Sequence, residues 1–326
     1  MTDLATVSAS EMTRASALRR LGRHDLLFRW GTRFFALLVL ALLGGVTIAL
    51  VEGSLPALRA FGLDFVFTEV WNPVTEKFGA LAPIYGTLVT ALLAMAIGIP
   101  IGIGIAVFLT ELCPMRLRRP IGIAIELLAG IPSIIYGIWG LFFLAPFLQR
   151  HVQPLLIDLF HGVPGLGGLF AGPPYGIGIF TAAIVLAVMV LPFITSVTRD
   201  VFLTVPPILK ESAYGIGCTT WEVVWHIVLP YTRAGVLGGV MLGLGRALGE
   251  TMAVTFVIGN AHRVSQSIMA PGTTISATIA NEFTEAVGDL YTSSLVALGL
   301  ILFVITFLVL AAARLMLFRL DAKGRR

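Results

Sequence analysis

The sequence predicts an all-α integral membrane protein of about six transmembrane helices. Hydrophobic residues make up 57% of the 326 positions. Charged residues make up only 12%, where a soluble domain carries about a quarter. The apolar residues are also gathered into runs of bilayer length.

A run of about 20 apolar residues crosses the hydrocarbon core as a helix, because in lipid the backbone must satisfy its own hydrogen bonds. Six such runs occur, at residues 34–51, 83–109, 121–147, 176–197, 234–259 and 294–317. The first follows an arginine-bearing arm, as the core of a signal peptide does. It is too long for that role and has no small-residue cleavage site before Glu52, so it reads as a retained anchor. The second, third and fifth exceed the minimum length, which implies tilt or extension past the bilayer. The third is interrupted by Gly130, Pro132 and Gly137. Loops 52–82, 148–175 and 260–293 carry Gly, Pro and aromatics but outline no further domain. The predicted organisation is an arm (1–33), one membrane domain (34–318) and a tail (319–326).

Basic residues collect on the cytoplasmic side of short loops. The arm holds six arginines, the second loop Arg116, Arg118 and Arg119, the fourth loop Arg199, Lys210 and Arg233, and the tail five basic residues. The alternate loops hold only Arg59, Lys77, Arg150 and Arg263. Seventeen against four places both termini in the cytoplasm. The formal charge of +4 is thus spread over membrane ends, where topology and contact with anionic membrane lipid account for it, and no nucleic-acid partner is implied. Cys113 and Cys218 both fall on the expected cytoplasmic side and suggest no disulfide, and no Cys/His spacing suggests a metal. His151, His161, His226 and His262 stand isolated. No convergent nucleophile or acid/base pair suggests an embedded enzyme.

The loop at about 207–231 is the most informative stretch. Pro207 suits a helix start, a turn follows at Gly215–Gly217, and Thr219 or Thr220 caps a second short helix presenting Trp221, Val224 and Trp225. Such a helix could dock in a partner's groove, or it could be a connection with its tryptophans at the headgroups. Helix physics alone leaves both open.

Arg246 and Glu250 lie inside the fifth run, where a charge at the bilayer centre costs roughly 2.5–3.5 kcal/mol or more unless compensated. Four residues apart, they share a helix face, in the weaker order for a stabilising pair. At about 100° per residue they fall in the same arc of roughly 80° as Gly235, Gly239 and Gly243. A glycine stripe allows close helix approach, so the charges are expected to face the bundle. One reading is a buried structural pair. The other is that Arg246 attracts an anion while Glu250 limits how tightly it is held, since a pathway must release what it attracts. Glu126, ahead of Gly130–Ser133, is a weaker candidate for a cavity lined by a broken helix. Arg199 and Asp200 read as an interfacial anchor.

The loop spacing resembles the EAA loop of ABC-importer permeases. Glu211-Ser212-Ala213 is followed by three residues, Gly217, nine residues and Ile227-Val228-Leu229-Pro230, with Ser212 in place of the first Ala of the motif. Further blocks resemble the PstC-type permeases of bacterial phosphate importers: residues 79–88 (GALAPIYGTL), 128–137 (LAGIPSIIYG) and 243–254 (GLGRALGETMAV). The resemblance covers nearly the whole chain from residue 34 onward. It implies the type I ABC importer permease fold in the bacterial inner membrane, and it implies phosphate moved by alternating access. The implied partners are a second related permease, two ATP-binding ATPase subunits and a periplasmic phosphate-binding protein. It assigns Arg246 and Glu250 to the pathway and Glu211, Ala213 and Gly217 to the ATPase contact. The expectation is that this chain binds no cofactor and is not itself an enzyme. A P-loop needs Gly-Lys followed by Ser or Thr, and Lys77, Lys210 and Lys323 are followed by Phe, Glu and Gly, so ATP falls to the partner subunits. One arginine does not by itself separate phosphate from sulfate or molybdate. A self-contained secondary anion transporter is a further alternative, but it would have no reason to carry the coupling-loop spacing.

Overall fold

A computed structural model describes the backbone of residues 2–324 and the side chains of residues 25–165 and 167–316. The basic side chains of the arm before residue 25 and of the tail lie outside the described residues. Contacts divide the chain into two units, Met1–Gly53 and Ser54–Arg326. The first is helical from Thr2, in a helix that runs on to Phe61.

Among the described residues, six helices are long and apolar enough to cross a membrane: Asp25–Phe61, Leu81–Leu112, Ser133–Phe160, Ile179–Leu203, Thr220–Gly249 and Asp289–Met316. Within the second unit the fourth span is central. Two thirds (67%) of its most apolar window is buried, against 17% for the sixth. Small residues make this packing possible. A Cβ at Gly98 or Gly102 of the second span would come within 3.1 Å of Val190 Cγ2 or 2.9 Å of Ile194 Cγ2. From the other side, Cβ atoms at Gly235, Gly239 and Gly243 would meet Val201, Val197 and Ile194 of the fourth span at 2.5, 3.1 and 2.9 Å. The predicted glycine stripe is therefore the seam between the fourth and fifth spans, and Ile194 is gripped from both sides. The first N–H groups of the fourth span, which no helix can satisfy internally, are taken up by an irregular segment: Ile179 and Phe180 donate to the carbonyls of Ala270 and Ile268.

Two predicted boundaries are corrected. The run at 121–147 is not one span. A helix at Met115–Ala129 stops at Gly130, and the crossing helix starts afresh at Ser133, because proline disfavours helical conformation in the residue before it and Pro132 is itself extended (ψ 136°) at the N-cap of the next helix. That span continues to Phe160, taking in residues assigned to a loop. The run at 234–259 is broken as well. The fifth span ends at Gly249, Glu250 is extended (φ −70°, ψ 130°), and a short helix follows at Met252–Val257.

The loop before the fifth span matches expectation at its start and departs from it afterwards. A helix begins at Pro207 and ends at Gly215. Gly217 makes the turn with φ +94°, a conformation that costs glycine little and other residues more. The helix that follows is not a short isolated one. It passes through a π-helical turn, Val224–Val228, into Leu229–Gly249. Pro230 lacks an N–H and crowds the carbonyl four residues back, and the wider turn just before it absorbs the mismatch.

Candidate functional site

Arg246 is on the last turn of the fifth span and Glu250 is just past its end. Their nearest atoms, Nη2 and Oε2, are 3.9 Å apart, longer than a hydrogen bond. The carboxylate is the more buried partner, with 6% of its side chain exposed against 39% for the arginine. Glu250 Oε1 accepts from the Ala253 N–H at 3.2 Å, which explains the break. A side chain that can bond a nearby backbone donor competes with continued helix, and here it satisfies one of the unmet donors of the helix Met252–Val257. The Arg246 guanidinium lies 5.1 Å over the ring of Phe193. It lines an open cleft of about 760 Å³ with Phe193, Gly238, Met241, Leu242, Gly245, Leu310 and a second cation, Arg314. A planar cation of five donors, not locked by a hydrogen-bonded carboxylate and sharing a largely apolar cleft with Arg314, can meet an oxyanion with two parallel bonds.

Glu126 goes elsewhere. It pairs with Arg199 at 2.7 Å, and the same guanidinium binds Asp200 at 2.9 Å. Glu126 and Arg199 line a separate cleft of about 380 Å³ with Arg118 and Arg119. The structure thus joins Glu126 to the Arg199–Asp200 anchor rather than to the Arg246–Glu250 pair. The broken helix is nonetheless close to that pair. A Cβ at Gly137 would lie 3.1 Å from the Ala253 Cα, so Ser133–Trp139 packs on the short helix that Glu250 caps.

In the loop, Glu211 and Ser212 are exposed, whereas Ala213 is 6% exposed. Ala213 packs with Ala106, Phe202, Val205 and Val223, so it holds the loop to the bundle and is not open to a partner. Gly217 is exposed with open space around it. Thr219 forms a capping box with Glu222, as the sequence suggested. Trp221 and Trp225 stack at 5.4 Å and are 69% and 55% exposed, whereas Val224 points inward. Ile227 and Leu229 are half-buried beside Pro230, where the loop becomes the span.

At the other end of the bundle is a cluster that sequence reading missed. Glu282 accepts from Trp71 Nε1 at 2.5 Å and Tyr291 Oη at 2.8 Å, and lies 2.8 Å from His262 Nε2. Trp71 stacks on the His262 ring. Burial pushes the Glu282 carboxyl up, but hydrogen bonds from His262, Tyr291 and Trp71 and the His262 charge outweigh it, so its pKa is lowered. His262, Trp71 and Glu282 are far apart in sequence and follow no period, so only the fold could bring them together. Phe193 beneath Arg246 likewise carries no signal in a run of apolar neighbours.

Residues 98–321 match the family described as binding-protein-dependent transport system inner membrane component. The chain is 71% identical over 97% of its length to the phosphate transport system permease protein PstC of Mesorhizobium japonicum, covering 96% of that protein. It is 58% identical to the protein of the same name from Pasteurella multocida, over 94% of this chain and 96% of that one. Among solved structures, a bacterial alginate ABC transporter in complex with an alginate-bound periplasmic protein shares the fold, with TM-score 0.58 and 18% identity over 87% of this chain and 93% of the other.

Proposed function

The chain belongs to the PstC-type phosphate permeases, within the binding-protein-dependent inner membrane components, and from that premise we propose how its residues carry phosphate. It is the multi-pass inner-membrane permease subunit of a phosphate ABC importer. Its finer machinery is the reading that follows. A second related permease completes the membrane channel, two ATPase subunits bind and hydrolyse ATP, and a periplasmic phosphate-binding protein delivers the anion. Both termini and the loop at 207–231 face the cytoplasm, with the membrane domain at 34–318 between the arm and the tail.

The observation that carries the pathway assignment is the state of Arg246. It is a cation within a membrane span, part-exposed to a cleft and unlocked by its carboxylate. Arg246 receives phosphate by paired hydrogen bonds. Glu250 stands close enough to weaken that hold and favour release. Glu211, Ser212 and Gly217 form the outward face of the coupling loop against the ATPase. Ala213 and the Ile227–Pro230 stretch, through Leu229, secure the loop to the bundle. Since Thr220–Gly249 is continuous from loop to Arg246, a displacement of the loop is carried along one helix to the cation. Glu250, by contrast, is held by the next helix. Alternating access then changes the Arg246–Glu250 spacing.

The test is ATP-driven phosphate uptake by proteoliposomes holding the assembled importer. Arg246→Gln is expected to slow uptake roughly tenfold or more while the complex still assembles. Uptake at the unmodified rate defeats the pathway assignment. The relatives' names favour phosphate over sulfate or molybdate.

A further inference from the structure

Lys210 precedes Glu211 on the coupling-loop helix, yet its ammonium turns inward. Lys210 Nζ meets Glu111 Oε1 at 2.6 Å, with 17% and 7% of the two side chains exposed. Glu111 sits in the π-helical turn Phe108–Leu112 that ends the second span. The neighbouring carbonyl of Thr110 accepts from Arg118 Nη2 at 2.7 Å, so the helix Met115–Ala129 is tied to the same turn. Around this point Ala106 of the second span, Phe202 and Val205 at the end of the fourth, and Ala213 and Val223 of the loop form one apolar cluster.

Apolar packing is non-directional and tolerates sliding, whereas a buried, hydrogen-bonded charge pair is costly to separate and fixes one register. The coupling loop therefore has two mechanical outlets. One is covalent, along Thr220–Gly249 into the fifth span. The other is the Lys210–Glu111 pair into the second span. Both spans close on the same residue of the fourth, Ile194, through Gly102 and Gly243.

We infer that Glu111 and Lys210 are a positioning pair that makes the second span move with the coupling loop, so that the second and fifth spans shift together against the fourth. This rests on the importer reading above and names a part of its coupling that the loop motif does not contain. Without the pair, loop movement reaches the fifth span alone, and ATP is consumed without opening the route.

The experiment uses the complete importer in proteoliposomes with its binding protein, and reads phosphate imported per ATP hydrolysed. Glu111→Gln and Lys210→Met are each expected to lower that ratio roughly fivefold or more, the lower end of usual coupling strengths. The exchange Glu111→Lys with Lys210→Glu is expected to recover most of it. An unaltered ratio in the single variants, or an exchanged pair as poor as the singles, overturns the inference. Should the neutral variants not assemble, Glu111→Asp keeps the charge but withdraws it by one methylene. A lowered ratio there supports the pair, and an unchanged one overturns it. Failure of the unmodified complex to import phosphate with ATP would instead sink the importer reading.

Discussion

The sharpest test of the intramembrane pair removes both charges together. Arg246→Gln alone leaves Glu250 with 6% of its side chain exposed and without its cation at 3.9 Å. Two unit charges at about 4 Å interact by about 1 kcal/mol in water and about 4 kcal/mol at an effective dielectric of about 20. The arginine is 39% exposed, so the lower end applies, about 1–2 kcal/mol after solvent screening. The Ala253 N–H bond to Glu250 remains, and the single variant should still assemble. Adding Glu250→Gln removes the stranded carboxylate and should return the melting temperature towards that of the unmodified complex. Transport should not return with it. Charge-assisted hydrogen bonds are worth roughly 1.5–3 kcal/mol, so losing the guanidinium should slow uptake roughly ten- to a hundredfold in both variants. The assay is initial phosphate uptake in proteoliposomes beside a thermal melt of the same preparations. If Arg246→Gln/Glu250→Gln recovers stability and uptake together, the pair is a structural one and the pathway reasoning is refuted.

Three further outcomes are expected. Gly235→Ala places a methyl group 2.5 Å from Val201 Cγ1 and should destabilise the protein by about 1–3 kcal/mol, read as a lower melting temperature that Val201→Ala partly restores; no shift would show that the seam is looser than described. Gly217→Val forces a branched residue to φ +94° where no neighbour crowds it. Its backbone strain of about 1–3 kcal/mol should distort the turn and lower phosphate imported per ATP, and an unchanged ratio speaks against the docking role. Glu282 has a lowered pKa, so it binds fewer protons folded than unfolded near the ordinary glutamate value of about 4.3. Its contribution is complete above that value and is lost as pH falls through the lower folded value. Melts between neutral and acid pH should lose that component in Glu282→Gln, and identical pH profiles would contradict the assignment.

Much of the bundle was legible because membrane helices announce themselves by length and composition, whatever they pack against. The glycine spacing at 235, 239 and 243 even identified the packed face, and the structure sets Val201, Val197 and Ile194 against it. The boundaries failed where hydropathy is silent about hydrogen bonding. Apolar residues continue on both sides of Gly130–Pro132 and of Glu250, so a window over either point reads as one span. What divides them is the backbone: proline excluding helix in the first case, a carboxylate capping the next helix in the second.

The loop shows the same limit from the other direction. Its spacing located the turn and the cap, since Gly217 and Thr219 act on backbone groups within a few residues. It did not tell an outward residue from an inward one. Ala213 and Val224 are buried while Glu211 and Trp221 are exposed, because the bundle end, formed by residues about 100 positions earlier and by the fourth span, decides which face is covered. Lys210 is the extreme case. By sequence it is one more cytoplasmic cation beside a motif glutamate, and a positive-inside count uses it as such. Its partner Glu111 closes an apolar run 99 residues away. A pair separated that far leaves no periodic trace. Only the packing of the second span against the loop shows that Lys210 faces into the bundle while the adjacent Glu211 faces away from it.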